Sequence, residues 1–146
     1  MAEKPVTYHW LRLRTVAHPT EDVAKVTQAL RFVAGETDAV LQDTELETHH
    51  GLPQHVLELT LERAREIRAV LERFLALPGA REQLASEAEA RTDEDGVFYL
   101  RADKQEAFKG QLVLTKGEDC VQLRLRVEAY PANRDAALGQ VRRILS

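Results

Sequence analysis

The chain has one cysteine, Cys120, which excludes an internal disulfide and suits a reducing compartment. A lone cysteine near the start of an alternating strand, with no histidine close to it in sequence, reads as a small half-buried hydrophobe rather than a nucleophile. Aromatic residues make up only 5% of the sequence, so the core must be built mainly from Leu, Val and Ala. No apolar run approaches the ~20 residues that a membrane helix needs. The opening MAEKPVTYHWLRLR lacks an apolar stretch followed by a small-residue cleavage site, as a signal peptide would have. A cytoplasmic protein with no membrane partner is the expectation. Also missing are a GxSxG elbow, a P-loop, a dinucleotide-binding glycine pattern and an HExxH zinc motif. These absences remove the common catalytic routes, so no enzymatic activity, cofactor or metal is expected.

What is present fits one α+β domain over residues 1–146. A chain of 146 residues with 44% hydrophobic and 30% charged content can bury a core without staples. The net charge of −4 argues against a protein that coats nucleic acid nonspecifically, because neutralising many phosphates needs a dense basic surface. It leaves room for a local basic patch.

Hydrophobic periodicity orders the chain. Val6–Val16 reads as a strand, with Leu11 and Leu13 on one face and Tyr8, Trp10, Arg12 and Arg14 on the other. Thr20 is placed to cap a helix whose stripe is Val23, Val26, Leu30 and Val33, and Gly35 stops it. Ala39–Thr48 and His55–Leu61 read as strands joined by His49–Gln54. Glu62–Leu77 has helical period, broken at Pro78-Gly79 before a second, more polar helix, Ala80–Arg91. A strand over Val97–Ala102 and a short helical turn over Lys104–Phe108 follow. Gln111–Thr115 and Asp119–Ala129 would then form a hairpin across Lys116-Gly117. In its second arm Val121, Leu123, Leu125 and Val127 point inward, and Gln122, Arg124, Arg126 and Glu128 outward. Asn133 caps a last helix with Leu138, Val141 and Leu145 as its stripe. The implied fold is a mostly antiparallel, curved sheet with helices packed on one side, in the order β-α-β-β-α-α-β-β-β-α.

Clusters of chemically able residues point away from metals. Asp93, Glu94 and Asp95 precede Gly96, but the next side chains, Val97, Phe98 and Tyr99, do not supply the later ligands of a calcium loop. The trio reads as a solvated turn. His49, His50 and His55 have no CxxC partner, so zinc is unsupported. Loop imidazoles can instead stack on bases or bond to phosphates. The outward strand faces combine Trp10, Arg12, Arg14, Arg124 and Arg126, cations and a ring of the kind that hold phosphates and splayed bases. The rival reading is a sheet face in which arginine stems lie along apolar neighbours or pair with Glu.

The segment TDEDGVFYLRADKQEAFKG resembles the signature of an archaeal family of RNA-binding proteins and predicted exosome subunits. An acidic turn leads into a strand ending in Leu-Arg-x-Asp-Lys-Gln, here Leu100, Arg101, Asp103, Lys104 and Gln105, followed by a short helix and Gly110. The His49-His50-Gly51 loop, the HPTED helix start and Ala129-Tyr130-Pro131 are similar to the family as well. Thr48 and Leu52 depart from its usual glycine and asparagine around that loop. The resemblance implies a ribosomal-protein-like α+β fold and a non-catalytic role in binding single-stranded or structured RNA, with a link to the RNA-degrading exosome. Arg101, Lys104, Gln105, His49 and His50 are the expected contacts, with Trp10, Arg12, Arg14, Arg124 and Arg126 from the sheet. RNA binding through these groups should weaken steeply with salt. The alternative is an assembly subunit that meets other protein subunits or a second copy of itself, as a homodimer, without touching RNA.

Overall fold

Ten elements succeed one another in the computed structural model, which describes residues 4–48 and 51–146. They are β1 (Tyr8–Ala17), α1 (Val23–Ala34), β2 (Gln42–Glu47), β3 (Pro53–Leu61), α2 (Ala64–Leu75), α3 (Ala80–Glu87), β4 (Phe98–Asp103), α4 (Lys104–Phe108), β5 (Cys120–Val127) and α5 (Arg134–Leu145). The strands form one open antiparallel sheet in the order β2-β3-β1-β5-β4. The α+β class and the succession of elements are therefore those expected. The stretch Gln111–Thr115 differs in detail: it is not a full strand and does not pair with the Cys120 arm. A bridge joins Leu114 to Ala102, with Asp103 N–H donating to the Val113 carbonyl at 2.8 Å and Thr115 N–H to the Arg101 carbonyl at 3.0 Å. Gly110 at φ 81° turns the chain back along β4, so this segment finds β4 before it can reach β5.

The chain divides into two compact units. The first takes the chain up to Leu11, Glu62–Tyr99 and Arg124–Ser146. The apolar stripe of α2, Ile67, Val70, Leu71 and Phe74, is buried, as are Leu84 of α3 and Leu138, Val141 and Leu145 of α5. Full burial of each such side chain is worth roughly 1.5–3 kcal/mol. Asn133 caps α5, accepting from Ala136 N–H at 2.9 Å. The acidic turn before β4 is self-contained: Asp93 Oδ1 accepts from the N–H groups of Asp95 and Val97, each at 2.9 Å, and its Oδ2 from the Tyr99 hydroxyl at 3.0 Å. Burial alone would raise the Asp93 carboxyl, but these donors hold it below the usual range. The carboxylate thus serves the turn.

The second unit holds Arg12–Leu61 and Leu100–Leu123. Leu13, Leu30, Leu57, Leu59, Leu61, Leu100 and Leu123 form its buried core, and α1 lies against α4 and β3. The cap of α1 is Asp22, accepting from Ala24 N–H at 2.9 Å, in place of the expected Thr20. Thr20 is exposed two residues upstream, and His18 and Glu21 close the intervening turn through Glu21 N–H to the His18 carbonyl at 2.9 Å. β2 pairs antiparallel with β3 from Gln42 opposite Glu58 to Glu47 opposite Pro53. It is exposed along its whole length.

Candidate nucleic-acid interface

Strand alternation decides which side chains of the second unit face outward. Leu13, Thr15 and Ala17 are buried in β1, Val121 and Leu123 in β5, and Leu100 and Ala102 in β4. Their neighbours Arg14, Val16, Cys120, Gln122 and Arg101 must then turn to the opposite face. That face carries a groove of ≈ 810 Å³ whose walls include Arg14, Gln54, Arg101, Gln122, His18 and Thr20. Arg14 is 47% exposed and reaches Glu58 at 4.0 Å, a loose surface pair worth at most about 1 kcal/mol. Arg101 donates from Nη1 to the carbonyls of Lys116 and Gly117 at 3.3 and 3.4 Å. A guanidinium has five N–H donors, so these contacts aim the fork without consuming it.

Lys104 sits at the end of the groove in a different state. It is 3% exposed, and its ammonium donates to Glu21 Oε1 at 2.8 Å, to Asp119 Oδ1 at 2.7 Å and to the Val16 carbonyl at 2.9 Å. Burial would lower its pKa, but the two carboxylates hold it above the usual lysine value. Burial would likewise raise Glu21, which the bonds from Lys104 and from His18 N–H hold low. Asp119 is held low by Lys104 and Gln105 against its own burial. Three donors meet three acceptors, so Lys104 has nothing left for a phosphate. Its expected place among the RNA contacts gives way to a structural one.

His18, Glu21 and Asp119 bring ligand atoms within 4.8 Å of one another, the one such trio among the described residues. Lys104 already neutralises the two carboxylates, so the donor set suits an internal ammonium better than a metal ion. Gln105 is exposed but donates to Asp119 Oδ2 at 3.1 Å. Asp103 caps α4, accepting from Glu106 N–H at 2.9 Å. Phe108 is only half-buried, with the Lys25 ammonium 5.7 Å from its ring centre; the buried anchor of α4 is Ala107. Cys120 is half-buried, and burial pushes its thiol up from the usual value, away from thiolate reactivity.

The remaining candidates are placed elsewhere. Arg12 is half-buried in the second unit. Trp10, Arg124 and Arg126 belong to the first unit, all half-buried. Arg124 lies beside Tyr99, whose phenol is raised first by burial and then by its bond to Asp93, and lowered by Arg124. Arg126 donates to the Asp95 carbonyl at 3.4 Å. His49 and His50 lie outside the described residues. Gln54, His18 and Thr20 were not expected in the site. Gln122 was readable as outward from the same alternation that marks Arg124 and Arg126, but an uncharged amide carries no electrostatic signal for phosphate.

An open antiparallel sheet whose outward face carries a groove of guanidiniums, amides and carboxylates defines a protein of the α+β class. Residues 10–127 match the model of a family described as RNA binding, and the chain belongs to that RNA-binding family. It is 36% identical to the RNA-binding protein PAB1135 of Pyrococcus abyssi over 140 residues, covering 92% of this chain and 91% of that one. Its structure is similar to that of Mth689, a DUF54 protein from Methanothermobacter thermautotrophicus (TM-score 0.77, 35% identity, 95% of this chain and 98% of the other). It is also similar to AF2318, a DUF54-family protein from Archaeoglobus fulgidus (TM-score 0.81, 31% identity, 94% and 99% covered). The resemblance carried by Leu100–Gln105 thus holds at the level of an archaeal RNA-binding family. Among the described residues no helix is long and apolar enough to cross a membrane.

Proposed function

We propose that this chain is a non-catalytic RNA-binding protein that holds RNA in the groove of its second unit. The observation that carries the reading is the pairing of Arg14 and Arg101 as outward guanidiniums in one groove with the amides of Gln54 and Gln122. Arg14 and Arg101 meet phosphates, and the amides offer donor and acceptor together to base edges or 2′-hydroxyls. Lys104, with Glu21 and Asp119, fixes the corner from which Arg101 projects.

The groove also contains Glu21, Glu118 and Asp119, so it is not a contiguous basic patch. With two guanidiniums available to phosphates, the slope of log K against log salt for a single strand is about −1.4. That is shallower than the sequence alone suggests. A filter-binding series at low salt, over single-stranded and hairpin RNAs, tests the reading. Affinity for at least one class is expected, and no affinity for any of them would refute it.

A second reading draws on β2, exposed along its whole length at the sheet edge, with Leu46 and Leu52 also exposed. An open edge can accept a strand from a protein partner, an RNA-degrading exosome subunit being the partner that the family resemblance implies. Asp43, Glu45 and Glu47 along the strand would repel the same strand of a second copy, which favours a foreign partner over a β2-mediated homodimer. Size-exclusion chromatography with and without RNase separates the readings. A complex that survives RNase and carries no nucleic acid would favour the second.

A further inference from the structure

Tyr130, between β5 and α5 in the first unit, is 87% exposed, more than any other large apolar side chain among the described residues. Full exposure of one ring is notable in a chain with only 5% aromatics. Beside it lies a groove of ≈ 180 Å³ lined also by His9, Asp95, Arg126, Glu128 and Asn133. Three of its lining residues have contacts that hold them in place. Gly96, at φ 82°, sits so close to α5 that a Cβ there would lie 2.7 Å from that of Ala137. Arg126 is tied to the Asp95 carbonyl, and Asn133 to the first turn of α5.

Size and charge together narrow the occupant. Pockets for drug-sized ligands run to roughly 300–1,000 Å³, so this groove encloses no more than one small planar group. The carboxylates Asp95 and Glu128 would repel a phosphate, yet they accept well from an amino group, while Arg126 and His9 can serve ring nitrogens or carbonyls. An exposed ring beside such a mixed edge matches the way unpaired bases are held: stacked on an aromatic face and bonded along one edge.

We propose that this groove is a base-binding subsite, taking one unpaired nucleobase with an exocyclic amino group, stacked on Tyr130 with its edge toward Glu128 and Arg126. The subsite rests on the RNA-binding reading and adds to it a preference for single strands over duplexes.

The test is a titration of the full chain with single-stranded hexa-adenylate, followed by ¹H–¹⁵N correlation spectra, for the natural sequence and for Tyr130→Ala and Tyr130→Phe. Adenine supplies the amino donor. Tyr130 is exposed, so neither variant should disturb folding. The expected result is shifted amides at Tyr130, Ala132 and Asn133. Affinity should fall about tenfold in Tyr130→Ala, within the range of one lost stacking contact, and be kept in Tyr130→Phe. Shifts confined to Arg14, Arg101 and Gln122, with Tyr130→Ala binding as tightly as the natural chain, would overturn the subsite and leave the groove reading standing. Shifts around Tyr130 alone would support the subsite and overturn the groove. No shift anywhere would overturn both.

Discussion

Lys104 shows how one side chain sets its neighbourhood. Its ammonium is enclosed by Glu21, Asp119 and the Val16 carbonyl, and removing it leaves two carboxylates without their partner. Because those carboxylates are partly solvated, Lys104→Met should cost about 2–3 kcal/mol in urea unfolding, less than the loss of a fully buried partner. The pH dependence has a definite sign. Glu21 and Asp119 are lowered in the folded state from ordinary values of 4.5 and 3.8, so in acid the unfolded chain binds more protons. Their stabilisation is complete above those ordinary values and is lost as pH falls through the lower folded ones. Lys104→Met should flatten this acid limb; an unchanged limb would mean that the ion cluster does not set it. A second residue, Gly96, combines positive φ with a close approach to Ala137. Gly96→Ala should therefore cost about 2 kcal/mol or more, read as a lowered melting temperature. Neither role was legible in the sequence. Lys104 reads as a cation in a family signature, and its partners lie 83 and 15 positions away; Gly96 reads only as a turn.

At the scale of elements, period was a sound guide to the middle of each segment with one buried face. The alternation Val121, Leu123, Leu125, Val127 ends buried, as do Ile67, Val70, Leu71 and Phe74, while Val23 and Leu77, at the ends of their apolar stripes, are only half-buried. Local chemistry was a weaker guide at element ends, where two acceptors compete. Thr20 and Asp22 can each cap a helix, and the bond that Glu21 makes to Lys104 accompanies the choice of Asp22. Asp103, of a residue type suited to an N-cap, caps α4. Because α4 is only five residues long, it depends on that cap more than a long helix would. Asp103→Ala should cost about 1 kcal/mol, measured by chemical denaturation, and a loss below a few tenths would mean that packing alone holds the turn. The edge pairing of Val113–Thr115 with β4 was not legible, because hairpin signals at Lys116-Gly117 point to the next strand and say nothing of the previous one.

For the whole molecule, the family signature at Leu100–Gln105 carried more than composition did. Net charge of −4 gives no sign of RNA binding, and in the proposed groove the cations are few and stand among carboxylates. Selective binding with a shallow salt response is therefore expected if, as proposed, Arg14 and Arg101 hold RNA phosphates in one groove. The most direct measurement is fluorescence anisotropy of a labelled single-stranded RNA across a salt series, comparing the natural chain with Arg14→Ala/Arg101→Ala after circular dichroism shows both folded. Binding by the natural chain is expected, weakened about tenfold or more in the double variant, with the salt slope reduced by roughly 0.7 for each arginine removed. Equal affinity and equal slope in the two proteins would contradict the proposal.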